Sequence, residues 1–105
     1  MDKKKDIIKK LKEFKKAVSG DVPIEKLFLF GSQVKGNVHK WSDVDLIVVS
    51  SKFEGKKSSK GANRLYDYWS IDKPVDFLCY TPDEFNKLKN QITIVREAVK
   101  EGIEI

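Results

Sequence analysis

Two carboxylates, Asp43 and Asp45, stand at the head of an apolar stretch, Val44-Asp-Leu-Ile-Val-Val49, and a third, Asp76, interrupts another, Pro74-Val-Asp-Phe-Leu-Cys-Tyr80. Side chains at i and i+2 of a strand share a face, about 7 Å apart along the backbone. Two flexible carboxylates at that separation can converge on metal ions about 3.5–4 Å apart. Upstream, Leu27-Phe-Leu-Phe30 ends in Gly31-Ser32. A residue without Cβ lets backbone N–H groups approach a phosphate, and a helix N-terminus favours negative charge. Metal ligands beside a phosphate cradle point to phosphoryl or nucleotidyl transfer. The plainer alternatives are that each aspartate caps a loop or pairs with a lysine. Ser42 either hydrogen-bonds near the carboxylates or simply ends a loop.

The elements that must carry these residues follow from periodicity. Residues 3–18 place Ile7, Ile8, Leu11, Phe14 and Val18 on one helical stripe, with lysines on the other face. Ser19-Gly20-Asp21 and Pro23 stop that helix. Residues 27–30 form a buried strand, so Gly31-Ser32 sits at its carboxyl end, where open α/β sheets bind ligands. Residues 32–36 make a short helix ended by Gly36, residues 37–41 a loop, and 44–49 a strand covered on both faces. Ser51 to Gly61, rich in Ser, Gly and Lys, reads as a mobile loop. A helix is expected over 63–70, with Leu65, Tyr66 and Trp69 at helical spacing, then a third strand over 74–80. Thr81-Pro-Asp-Glu84 starts a helix: Thr at the cap, Pro in the first turn, Glu three later. Phe85 and Leu88 face inward there. Residues 91–101 read as a last helix with Ile92, Val95 and Val99 as its apolar stripe and Ile94 and Ala98 beside it, ended by Gly102.

The 105 residues suit one domain, residues 1–105, with a single modest core. No apolar run approaches the roughly 20 residues needed to span a bilayer, and the N-terminus lacks an apolar signal core. The lone cysteine, Cys79, lies in an apolar run and reads as a buried reduced thiol. A cytoplasmic location is expected. The net charge of +5 is confined to residues 1–20, which hold eight lysines against Asp2, Asp6 and Glu13; the other 85 residues balance at 13 basic and 13 acidic. The lysine-rich helix is either a solvated face or a surface for nucleic acid or an acidic partner. Homo-oligomer formation and direct nucleic-acid binding are left open by the sequence.

Gly31-Ser32, a ten-residue gap, Asp43-x-Asp45 in an apolar strand and Asp76 in a later one together resemble the DNA polymerase β-like nucleotidyltransferase superfamily. The short chain looks like a minimal nucleotidyltransferase of the MntA/antitoxin type. The resemblance runs from Leu27 to about Phe85. It implies an α/β (α+β) fold, a small mixed β-sheet with helices packed on it. It implies that Asp43, Asp45 and Asp76 ligate two Mg²⁺ ions and that Asp76 assists in taking the acceptor proton. Gly31 and Ser32 would cradle the β and γ phosphates of a nucleoside triphosphate such as ATP. Relatives often carry two basic residues after Gly-Ser; here Gln33 stands at the first position and Lys35 at the second, leaving Lys35 as the cation near the phosphates. His39 matches no family position and reads as an exposed loop residue. Minimal nucleotidyltransferases pair with a HEPN-domain toxin, so the resemblance implies an antitoxin that adds AMP to that partner. A non-catalytic module that neutralises the partner by contact is the competing reading, and a small-molecule nucleotidyltransferase a weaker third.

Overall fold

A computed structural model describes residues 3–31, 34, 43–53 and 63–105. Helix α1 (Lys3–Val18) contains no Gly or Pro, carries Asp6 in its first turn and Lys15 and Lys16 in its last, each sign suited to the helix dipole at that end. The Ser19 hydroxyl donates to the Lys15 carbonyl and the Val22 N–H to that of Val18, closing the helix before Pro23. Strands β1 (Lys26–Phe30), β2 (Val44–Val49) and β3 (Val75–Tyr80) fall where the apolar runs place them. Helices α2 (Pro82–Leu88) and α3 (Ile94–Glu101) follow, then a two-residue strand, β4 (Ile103–Glu104).

The four strands form one sheet in the order β3-β2-β1-β4. β1 runs antiparallel to β2 and to β4, whereas β2 and β3 are parallel, so the sheet is mixed as expected. Side chains alternate across it. Leu27, Leu29, Leu46, Val48, Phe77 and Cys79 join Leu11, Phe14 and Val18 of α1 in one core. Phe28, Ile47 and Val49 pack on the opposite face against Phe85 of α2 and Val95 and Ala98 of α3. Burying a Leu, Ile or Val side chain contributes about 1.5–3 kcal/mol, which is why β2, apolar and at most 1% exposed from Leu46 to Val49, sits between two layers.

The helix expected over 63–70 is shorter. Residues 63–66 are helical and the chain then turns. Aromatic anchoring replaces the missing turn: the Trp69 indole N–H donates to the Lys73 carbonyl at 2.8 Å, and its ring meets Phe14 edge-on at 5.3 Å. Asp21 accepts from Arg64 at 2.6 Å and from the Tyr68 hydroxyl at 3.0 Å, tying the end of α1 to this segment. The Arg64 hydrogen bond, with lesser help from Tyr68, holds the Asp21 carboxyl below the usual carboxylate range despite some desolvation.

α2 starts as read. The Thr81 hydroxyl accepts from the Glu84 N–H, and the Glu84 carboxylate accepts from the Thr81 N–H at 2.9 Å, a reciprocal cap. Thr81→Ala is expected to cost about 1 kcal/mol, lowering Tm in a thermal melt by about 4–8 °C. α3 differs from its expected span. Its cap is Thr93, whose extended backbone and side-chain bond to the Arg96 N–H start the helix at Ile94. Ile92 therefore lies outside it, 94% exposed, and the buried stripe is Val95 and Ala98 rather than Ile92, Val95 and Val99. Gly102 ends α3 as expected; a Cβ there would collide with the Ala98 carbonyl oxygen and come within 2.7 Å of that of Leu29. Only glycine lets the chain turn back so tightly over β1 to form β4.

Candidate functional site

The parallel ladder is what levels the acidic residues. The Val44 N–H donates to the Pro74 carbonyl at 2.8 Å at one end, and the Ser50 N–H to the Tyr80 carbonyl at 3.0 Å at the other. Between these bonds Asp45 is the register partner of Asp76. Partners in adjacent strands stand about 4.8 Å apart with side chains on one face. That face is the α2–α3 side, because Asp45 alternates with Leu46 and shares its side with Ile47 and Val49. Asp43 lies two residues before Asp45, just ahead of β2, and is exposed, as is Asp76; Asp45 is half-buried.

The electrostatics match this geometry. Burial raises the Asp45 carboxyl above its ordinary value, and the charges of Asp76 and then Asp43 push it in the same direction. Two like charges thus bear on Asp45 at the end of β2. Among the described residues, no three His, Cys, Asp or Glu side chains are gathered into a metal-holding group. The donor set is nonetheless made of oxygen only, the ligand chemistry of Mg²⁺, and a cation would relieve the repulsion felt by Asp45.

Gly31 closes the site on the β1 side. Phe30, the residue before it, pairs with Asp45 across the antiparallel ladder. Gly31 adopts φ +81°, the left-handed region open to glycine. A Cβ at this position would collide with Oδ2 of Asp45. The glycine therefore serves two purposes: it turns the chain sharply at the strand end and leaves room for the half-buried carboxylate. Ser32, Lys35 and Ser42, the other residues expected to bind the nucleotide, lie outside the described residues, as do Gln33 and His39.

Sequence reasoning missed one neighbour of this centre. A cavity of about 190 Å³ opens on the same face between Phe30, Gly31, Ile94 and Ala98, with Glu97 and Glu101 on its rim. Its walls are mostly apolar, and no motif signals it because it forms between a turn and a helix more than sixty residues away. Cys79, by contrast, lies in the α1-side core. It is free and buried, and desolvation pushes its thiol up to about 12. The thiolate is the reactive form, so iodoacetamide at neutral pH is expected to label the native protein more than about a hundredfold slower than the denatured chain. Mass spectrometry over a time course measures both rates.

A family profile described as "Nucleotidyltransferase domain" matches residues 11–104. No curated protein sequence matches the chain. Among solved structures, a crystal structure of a protein from Sulfolobus solfataricus, proposed to be a nucleotidyltransferase, is similar with a TM-score of 0.66 and 19% identity, covering 96% of this chain and 80% of that one. At this identity the likeness speaks for the fold alone. The family profile spans the region that holds Gly31, Asp43, Asp45 and Asp76.

Proposed function

The chain belongs to the nucleotidyltransferase-domain family, and from that premise we propose that it transfers AMP from ATP to a hydroxyl of a partner protein, a HEPN-domain toxin that it neutralises as an antitoxin. The observation that carries the transfer reading is the register pairing of Asp45 with Asp76, level with each other and beside the left-handed Gly31 turn. Asp43, Asp45 and Asp76 are the residues that would hold two Mg²⁺ ions. Bound there, the ions would supply charge neutralisation to the triphosphate and acidify the acceptor hydroxyl.

The chain's own residues do the rest. Gly31 lets the backbone approach the β and γ phosphates; Ser32, Lys35 and Ser42 are the further residues that the family resemblance assigns to nucleotide binding. The acceptor oxygen attacks the α-phosphorus; the bond from that phosphorus to the bridging oxygen breaks, and pyrophosphate leaves with the electron pair. Asp76, on the strand flanking Asp45, accepts the acceptor's proton. Catalysis of this kind rests on positioning and charge neutralisation, because phosphoryl chemistry asks little covalent work of the protein.

The test is transfer of label from α-³²P-ATP to the purified partner with Mg²⁺ present. Label on the partner, lost with Asp76→Asn and with EDTA, is the expected result. A partner that is silenced equally by the Asp76→Asn protein, with no label transferred, overturns the enzymatic reading in favour of neutralisation by contact.

A further inference from the structure

On α1, Lys5, Lys9, Lys12 and Lys16 are spaced by four, three and four residues. At 100° per residue they fall within about 60° of arc, and at 1.5 Å per residue they span about 16 Å. All four are exposed. They lie opposite the stripe of Ile7, Leu11, Phe14 and Val18 that α1 buries, so the line of charge faces directly outward. Beside the line, Lys10 pairs with Asp6 at 3.2 Å, and Lys15 donates to the Ile105 carbonyl at 3.0 Å. The whole of the net charge of +5 belongs to residues 1–20, the segment that contains this helix.

We infer that this lysine line is a binding surface for nucleic acid, held through the phosphate backbone without reading sequence. One strand of a duplex presents a phosphate every 3.4 Å or so along the axis, so the line can meet four or five of them. The chemistry favours a polyanion over a protein partner. Protein interfaces have aromatic or apolar centres and are depleted in lysine, whereas this face presents lysines beside Asp6, Glu13 and Ala17, with no exposed aromatic group among them. Among the described residues of this face no aromatic side chain is exposed to stack on bases, and a line of point charges suits the phosphate backbone. The surface lies across the sheet from Asp45 and Asp76, and the inference does not rest on the proposed transfer reaction.

Fluorescence anisotropy with a labelled mixed-sequence duplex and the corresponding single strand tests it. Four phosphate contacts predict a slope of log K against log salt of about −3.6 for the duplex or −2.8 for the single strand. For the duplex this is a loss of about a hundredfold in affinity between 50 and 200 mM salt. The variant with all four lysines changed to Gln is expected to bind at least about tenfold more weakly with a nearly flat slope, while the corresponding Arg variant retains both. Should the fourfold Gln variant fail to fold, Lys9→Gln/Lys12→Gln is expected to lose about half of the slope. Lys87→Gln/Lys100→Gln, on helices of the other face, leaves binding unchanged. A slope unaffected by the α1 substitutions overturns the inference. Tighter binding to poly-glutamate than to either nucleic acid at equal charge also overturns it, and assigns the face to an acidic protein.

Discussion

Asp45→Asn is expected to slow nucleotidyl transfer by about a thousandfold or more while leaving the protein folded and slightly more heat-stable. Asparagine keeps the shape of the half-buried side chain but removes the charge that a cation would bind. In the metal-free protein that charge is a burden: burial and the neighbouring Asp76 and Asp43 raise the carboxyl's pKa. A raised folded-state pKa means that the contribution to stability is fully present below the ordinary carboxylate value and is lost as pH rises through the raised one. At neutral pH Asp45 is therefore ionised at a cost to the fold, and a neutral amide escapes it. Because the group is only half-buried and solvent still screens it in part, the gain is small, ~1–3 °C in Tm. Single-turnover transfer and a thermal melt in EDTA read the two effects separately. A rate within tenfold of the parent's would remove Asp45 from the machinery.

Gly31→Ala is expected to damage both the fold and the site. At φ +81° an L-residue with a Cβ is strained by about 1–2 kcal/mol, enough to lower Tm by several degrees. The added methyl also collides with Oδ2 of Asp45 and comes within 3.3 Å of its Cγ, so the carboxylate must rotate away. A displacement of about 1 Å at a reacting centre can cost a hundredfold in rate, and that is the loss expected in the transfer assay. The signature is selectivity: placed in the Asp45→Asn background, Gly31→Ala should still lower Tm but cause little further loss of rate.

Much of this arrangement is legible in the chain because it follows from short-range rules. The runs at 27–30 and 44–49 read as buried strands, the second covered on both faces, and 75–80 as a strand whose apolar run Asp76 interrupts. The cap at Thr81 and the stop at Gly102 are local chemistry written in a few residues. What the chain conceals is set by pairing between distant segments. Nothing near Asp76 specifies that it stands level with Asp45 rather than one residue along, and a slip of one would turn its side chain to the α1 side. β4 is two residues long, too short to carry a periodicity, and exists because Gly102 permits a close turn over β1. The spacing of Ile92 from Val95 suits a helix, but Thr93 between them caps it and leaves Ile92 outside. The cavity beside Phe30 needs α3 to be docked before it exists.

The sheet that separates the two cores also divides labour. The acidic residues lie on the α2–α3 side and the outward lysines belong to the helix on the other. Packed layers of this kind are about 10 Å thick, and groups that far apart with no shared neighbour contribute independently to stability. Changes to α1 can therefore accumulate without retuning the reacting centre, and the reverse holds equally. Such a partition would let one small chain exchange the surface proposed to hold nucleic acid while the proposed transfer site stays constant.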